Sequence, residues 1–360
     1  MGNRSEVVDQ WPAGAAGLAR DARIGAAAGA ASDDLAPPGD AGPRLLPAWE
    51  RRLPRIYLVA LVAAVAALLV FPRVASAYNL TLALTVLLTI SLASSWNIIS
   101  GFAGYTSFGH AGFFGIGSYV GALLIFYGVM PWIPAMLVAG LATALVALAI
   151  GYPTLRLRGP YFAIAMLGLS EIARIAVTAW EGVTRGGQGV YLPILRDSTP
   201  NYYAMLALAV VVVVVSYVVG SSDFGLKLRA IRDDEVAAQA MGIATTRLKL
   251  AAFSLSAFFP GAAGAIYARH IGYIDPVTVF AVIWSIRAIA TSILGGQGTI
   301  LGPIVGAVLL TLVSESVWAR NPFLYQVIFG GLIVLVVVFL PGGLMDLLQR
   351  LGWLPRSRRL

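Results

Sequence analysis

The 360-residue sequence predicts an all-α, polytopic membrane protein of about ten spanning helices. Apolar residues make up 59% of it and charged residues 12%, whereas a soluble domain is about half apolar and about a quarter charged. Mean hydropathy is +0.82. The apolar residues also gather in runs of about 20, the length a helix needs to cross a bilayer. These observations exclude an ordinary soluble enzyme. There is no cysteine, so disulfides, zinc–thiolate sites, iron–sulfur clusters and cysteine nucleophiles are excluded. With two histidines, no metal site is expected. The net charge of +8 carries its meaning in position rather than in sum, so it does not point to nucleic acid.

Residues 1–50 stand apart. Ala (13), Gly (7) and Pro (5) supply half of them, and no apolar periodicity persists. This stretch reads as a disordered cytoplasmic tail. It lacks an apolar h-region and carries acids throughout, so it does not read as a signal peptide. From Arg51 to Leu360 the chain reads as one transmembrane domain. Its spans are expected near 56–72, 78–100, 111–130, 132–151, 161–180, 202–220, 250–268, 278–294, 300–318 and 325–341. Met130-Pro131-Trp132 requires a tight turn between the third and fourth.

With a cytoplasmic amino terminus, the inside segments after the tail carry fourteen Lys and Arg and the outside segments five. Positive charge collects on the cytoplasmic side, so both termini are expected there. Gly117-Ser-Tyr-Val-Gly121 resembles Gly302-Pro-Ile-Val-Gly306, each after a glycine-rich approach, and suggests an internal repeat. The spacing of these glycines favours close helix packing over solute contact.

No G-x-x-x-x-G-K-[ST] occurs, so the chain has no phosphate-cradling loop of its own. No H-E-x-x-H occurs, and Gly168-Leu-Ser170 lacks the closing glycine of a serine nucleophile motif. No catalytic residues are assigned. The inside loop of about 221–249 is the most informative soluble segment. Asp233, Asp234 and Glu235 open a short helical pattern there, where acids complement the helix dipole. Ala237, Ala238, Ala240 and Met241 continue it, and Gly242 can end it in a left-handed cap. Such a helix would serve as a docking peg for a cytosolic partner; an ordinary solvated loop explains the composition equally well.

Glu235-Val-Ala237-Ala238-Gln-Ala-Met-Gly242 resembles the E-A-A-x-x-x-G loop of ABC importer permeases. Counting back from Gly242, Val236 stands where that motif has its acid, and Glu235 is one residue early. The surrounding stretch from Leu228 to Phe258 resembles the same region of LivM-type branched-chain amino acid permeases. So do Gly104-Tyr-Thr-Ser-Phe-Gly109-His110 through Gly117, Leu157-Arg158-Gly159-Pro160-Tyr161-Phe162 with Glu171 and Arg174 after it, and Leu294-Gly295-Gly296-Gln-Gly298 through Pro303. The resemblance covers roughly residues 78–345 and implies the permease fold of ABC importers. It implies a multi-pass chain of the inner membrane with no cofactor of its own. A related second permease subunit would pair with it. Two cytosolic ATP-binding subunits would hydrolyse ATP, and an extracytoplasmic solute-binding protein would deliver the solute. Arg232, Asp234, Glu235, Ala237, Ala238 and Gly242 would then couple the chain to one ATPase.

Ionisable residues inside a membrane default to functional candidates because they are expensive there. Glu171, Arg174 and Arg287 are such residues, with Glu315 nearer a span end. Glu171 and Arg174 are three apart and share a helical face, so they can pair with each other. Arg287 departs from the family, whose members carry an acid here: this chain reads Ser285-Ile286-Arg287. It can meet a substrate carboxylate, balance Glu171 or snorkel. Asn97, in the polar end of the second span with Ser94, Ser95 and Ser100, and His110 complete the candidate substrate path. Trp132, Trp180, Tyr202, Tyr203 and Trp318 fall at span ends, as an interfacial belt would.

The resulting reading is a permease subunit translocating branched-chain or other small amino acids into the cytoplasm. A same-family permease for urea, short amides or small carboxylates is the first alternative, and an ATP-independent secondary transporter or channel the second.

Overall fold

The second predicted span folds as α1, Ala77–Trp96, the most enclosed of the long helices. Ser76 caps its start by accepting from the Asn79 amide. A widened π-type turn, Asn97–Gly101, carries it on. Such turns leave backbone groups that need other partners. The computed structural model describes residues 65–193, 197–318 and 342–350, with isolated positions between 327 and 334. The tail reading of residues 1–50, and most of the predicted spans 56–72 and 325–341, lie outside the described residues.

Among the described residues six helices are long and apolar enough to cross a membrane, and two more are shorter. After α1 come α2 (His110–Phe126), α3 (Trp132–Thr154), α4 (Pro160–Ala179) and α5 (Thr199–Ser221). Two loop helices follow, α6 (Asp223–Asp233) and α7 (Glu235–Ala240). Then come α8 (Thr245–Ile271), α9 (Ile283–Gly295), α10 (Gly302–Trp318) and α11 (Gly343–Arg350). Among the described residues this is an all-α polytopic architecture with one two-residue ribbon.

Three expectations need correction. Asp233 does not open the peg helix. It ends α6, which the sequence reading missed because Phe224, Leu228 and Ile231 form one short apolar stripe among charges. The predicted span 278–294 is the sixth of the long apolar segments, Pro276–Gly295, but it is not one continuous helix: a turn at Pro276–Val279, capped by Asp275, precedes α9. Tyr202 is no interfacial anchor. It is fully buried, and its hydroxyl donates to the Leu68 carbonyl at 2.8 Å.

α2 and α8 approach backbone to backbone. A Cβ on Gly117 would overlap Gly261, one on Gly121 would overlap Ala265, and one on Gly264 would sit 2.6 Å from Ser118 Oγ. Gly302 and Gly306 do the same for α10, against Gly295 and Thr291 of α9. Both glycine pairs therefore serve packing, as their spacing suggests. Pro260 lies inside α8, where it removes one backbone donor. α3 presents an unbroken outward stripe of Ile133, Leu137, Leu141, Leu145 and Leu148. A two-stranded ribbon, β1 (Val190–Tyr191) antiparallel to β2 (Tyr273–Ile274), ties the loop after α4 to the end of α8.

Candidate functional site

The loop between α5 and α8 builds the site. Asp234 is extended and caps α7 by accepting from the Val236 and Ala237 amides at 2.8 and 3.0 Å. At the other end Gly242 takes φ +81°. The Ile243 amide donates to the Ala238 carbonyl and the Gly242 amide to the Gln239 carbonyl, the two bonds of a Schellman stop. No atom crowds a Cβ at Gly242, so glycine is needed there for its backbone angle alone.

α7 has two unlike faces. Ala238 is buried and Glu235 nearly so, while Val236, Ala237, Ala240 and Met241 face outward. Met241 is 82% exposed, and this apolar face belongs to the segment that joins α5 to α8.

Glu235 is the anchor. Lys249 Nζ, in the first turns of α8 and almost wholly buried, donates to Glu235 Oε1 at 2.5 Å. It also donates to the Tyr105 hydroxyl at 2.7 Å and to the Leu155 carbonyl at 3.1 Å. Three acceptors thus satisfy three ammonium donors. The Tyr105 hydroxyl in turn donates to Glu235 Oε2 at 2.7 Å, and Arg158 Nε stands 3.5 Å from the same oxygen. Burial alone would push the Glu235 carboxyl up. The hydrogen bonds from Lys249 and Tyr105 outweigh burial and hold it below the ordinary glutamate range. Burial, helped by the Glu235 charge, pushes the Tyr105 hydroxyl up, so it stays a donor.

This depression has a sign. A carboxyl with a lowered folded pKa stabilises above its unfolded value and loses that stabilisation as pH falls through the folded one. Docking of α7 is therefore expected to be constant from about pH 5.5 to 8. Hydrogen exchange of the amides of residues 236–243, corrected for intrinsic rate, would check this in membrane discs. A tenfold change in protection across that window would show that another group controls the loop.

Arg232 makes a second clasp. Its NH1 donates to the Gly101 carbonyl at 2.6 Å. A Cβ on Gly104 would sit 2.9 Å from its Cγ, and one on Gly298 would sit 2.8 Å from NH1. Glycines from two distant motifs thus cradle one arginine. Asn97 binds the same loop: its Nδ2 donates to the Thr299 carbonyl at 2.7 Å, and its Oδ1 accepts from the Gly298 amide at 2.8 Å. Gln297 Nε2 donates to the Ser100 carbonyl.

An aromatic chain leads inward from the anchor. Tyr105 meets Phe162 of α4 edge-on, Phe162 meets Phe253 of α8, and Phe253 meets Phe113 of α2. His110 touches Phe113 and is buried. Neither of its ring nitrogens closes a hydrogen bond of good geometry; the Ser95 carbonyl is the backbone acceptor that faces it.

Of the predicted path residues, the structure brings Asn97 to the glycine loop and His110 to the aromatic chain. Glu171 and Arg174 pair with each other on the outward face of α4. Arg287 lies with its guanidinium 5.6 Å from the Trp284 ring centre. Sequence reasoning missed Tyr105, Arg158 and Lys249 as partners of Glu235. A lysine entering an apolar helix was the available signal. Only the fold shows that Tyr105 lies beside it.

A polytopic helical bundle that clamps a short loop helix by a buried ion pair and presents its apolar side is the framework of a transport permease subunit. Residues 78–337 match the family model described as branched-chain amino acid transport system / permease component. The chain belongs to that family. It is 30% identical over 325 residues to the high-affinity branched-chain amino acid transport system permease protein LivM of Salmonella typhimurium, covering 81% of this chain and 75% of the relative. The Escherichia coli LivM matches to the same extent. The autoinducer 2 import system permease protein LsrC of Yersinia enterocolitica is 30% identical over 197 residues, 52% of this chain and 53% of its own. No solved structure matches the chain.

Proposed function

We propose that this chain is the membrane-spanning permease subunit of an ATP-driven importer that carries branched-chain or other small amino acids into the cytoplasm. The observation that supports this most directly is α7, anchored at Glu235 and turning Val236, Ala237, Ala240 and Met241 outward. A helix held rigidly from behind and left apolar in front suits a groove on an ATP-hydrolysing partner. The two LivM relatives carry branched-chain amino acids by name. In this reading a related second permease subunit, two cytosolic ATP-binding subunits and an extracytoplasmic binding protein complete the assembly in the inner membrane. Both termini then lie in the cytoplasm, on the side of α7.

The partial likeness to LsrC, whose name specifies a different solute, supports a second reading: the same machine working on another small molecule. Uptake by vesicles carrying the complete complex, with and without ATP, decides between them. Leucine uptake that needs ATP and the binding protein is the expected result. Uptake of urea or a carboxylate alone would replace the substrate, and ATP-independent uptake would overturn the importer reading.

A further inference from the structure

Two helices of the bundle are largely uncovered, and they differ in one respect. Within their apolar windows α4 is 17% buried and α3 is 28% buried, the lowest of the six long helices. From Ile133 to Leu148 the outward stripe of α3 holds aliphatic residues, with Tyr152 at its end, as a lipid-facing helix does. The outward stripe of α4 runs Ile164, Leu167, Glu171, Arg174 and Ile175. The Glu171 side chain is 49% exposed and that of Arg174 31%. Glu171 lies eleven residues from Pro160, about 16 Å along the helix and so near the middle of a hydrocarbon core of about 30 Å.

A charged residue at that depth costs about 2.5–3.5 kcal/mol on insertion scales, and such residues almost always face protein or a water-filled cavity. Lipid is therefore the wrong neighbour for this face. The pair is also neutral as it stands. Arg174 Nε donates to Glu171 Oε2 at 2.9 Å, and its NH2 donates to Oε1. Each charge neutralises the other while nothing else is bound, so neither is left uncompensated.

We propose that the Glu171–Arg174 pair receives the travelling solute as a zwitterion, at the seam between this chain and the second permease subunit. The α-carboxylate of an amino acid takes the place of Glu171 on the planar fork of Arg174. Its α-ammonium takes the place of Arg174 on the Glu171 carboxylate. One ion pair is exchanged for two, and the hydration that both charged ends of the solute give up offsets the gain, so the solute is held weakly and can leave. Ile164, Leu167 and Ile175 on the same stripe lie beside an apolar side chain. A neutral amide has neither charged end and gains nothing from the exchange. α4 is joined to the coupling loop at its start: Arg158, two residues before Pro160, faces Glu235, and Phe162 stacks on Tyr105. Movement of α7 therefore reaches the pair through one helix. This inference rests on the amino-acid reading above.

The test uses the complete complex in proteoliposomes with ATP and binding protein. Glu171→Gln and Arg174→Gln are each expected to lower leucine uptake at least tenfold, with ATP hydrolysis and binding-protein docking retained. The exchanged variant, Glu171→Arg with Arg174→Glu, is expected to recover part of the uptake, because a zwitterion can bind end for end. Single variants that transport leucine at the wild-type rate would overturn the proposal. Where a single variant fails to assemble, accessibility decides. The chain has no cysteine, so Leu167→Cys and Leu141→Cys each introduce one thiol into it. In a complex with no other reactive thiol, Leu167→Cys is expected to react with a charged, membrane-impermeant thiosulfonate and to be slowed by leucine. Leu141→Cys, on the α3 stripe, should stay inert. If both thiols are inert, the α4 face meets lipid and the proposal fails. A wild-type complex that takes up no leucine would instead defeat the amino-acid reading itself.

Discussion

Glu235→Ala, in the assembled transport complex, is expected to cut solute uptake tenfold or more while ATP hydrolysis continues. The substitution leaves Lys249 Nζ almost wholly buried with its counter-charge gone. Breaking such a pair costs about 3 kcal/mol, which shifts the balance between docked and released α7 by about a hundredfold. On the proposed importer reading, α7 is then still present but is no longer held against the bundle to pass on the partner's movement. Replacing both partners, Glu235→Leu with Lys249→Met, removes the uncompensated charge and is expected to restore much of the docking. The ratio of solute moved to ATP hydrolysed is the readout. An unchanged ratio in Glu235→Ala would show that the ion pair is incidental to coupling, whatever its share in stability.

Gly117→Val is expected to destabilise the bundle by about 3 kcal/mol or more, the upper end for an overfilled contact. Its first added carbon would meet backbone atoms of Gly261, which cannot swing aside as a side chain does. α2 and α8 must separate instead. Gly182→Val is the control, because open space surrounds a Cβ there, and a change within about 0.5 kcal/mol is expected. Thermal unfolding of the purified subunit in detergent compares the two. Equal midpoints would mean that the α2–α8 contact contributes little.

The helical architecture was legible because a membrane imposes it: each long apolar run had to satisfy its own backbone, and helices do so. The short helix at Glu235 was legible from its acids, its alanines and Gly242. Its start was misplaced by one residue because Asp233 and Asp234 look alike in sequence. Only the extended backbone at Asp234 shows which of them caps. The partners of Glu235 were not legible. Tyr105 and Lys249 lie 130 and 14 residues from it, and no periodicity links them. The glycines of the Gly104 and Gly298 motifs were visible as motifs, but their common purpose is the side chain of Arg232, which sits in neither. The pairing of Glu171 with Arg174 could be read from spacing. Its outward direction could not, because facing depends on which neighbours α4 lacks.

α8 contains one more consequence. Pro260 stands near the middle of α8, with α2 and α3 packed on both sides of it. The Thr245–Phe259 stretch holds Lys249 and lies along α3, where Gly140 and Gly151 admit Phe258 and Phe253. The Gly261–Ile271 stretch is seated on α2 through Gly264 and Ala265, while Gly261 meets both Gly117 of α2 and Thr143 of α3. Without a Pro260 amide the Ser256 carbonyl lacks its helical donor, and helices bend most readily at such a point. The helix is thus easiest to bend at Pro260. A bend of about 10° there would sweep the Lys249 end, some 16 Å away along the axis, through about 3 Å. A shift of Lys249 and of the helix it clamps can then be absorbed at Pro260, short of the close glycine contact between α2 and α8.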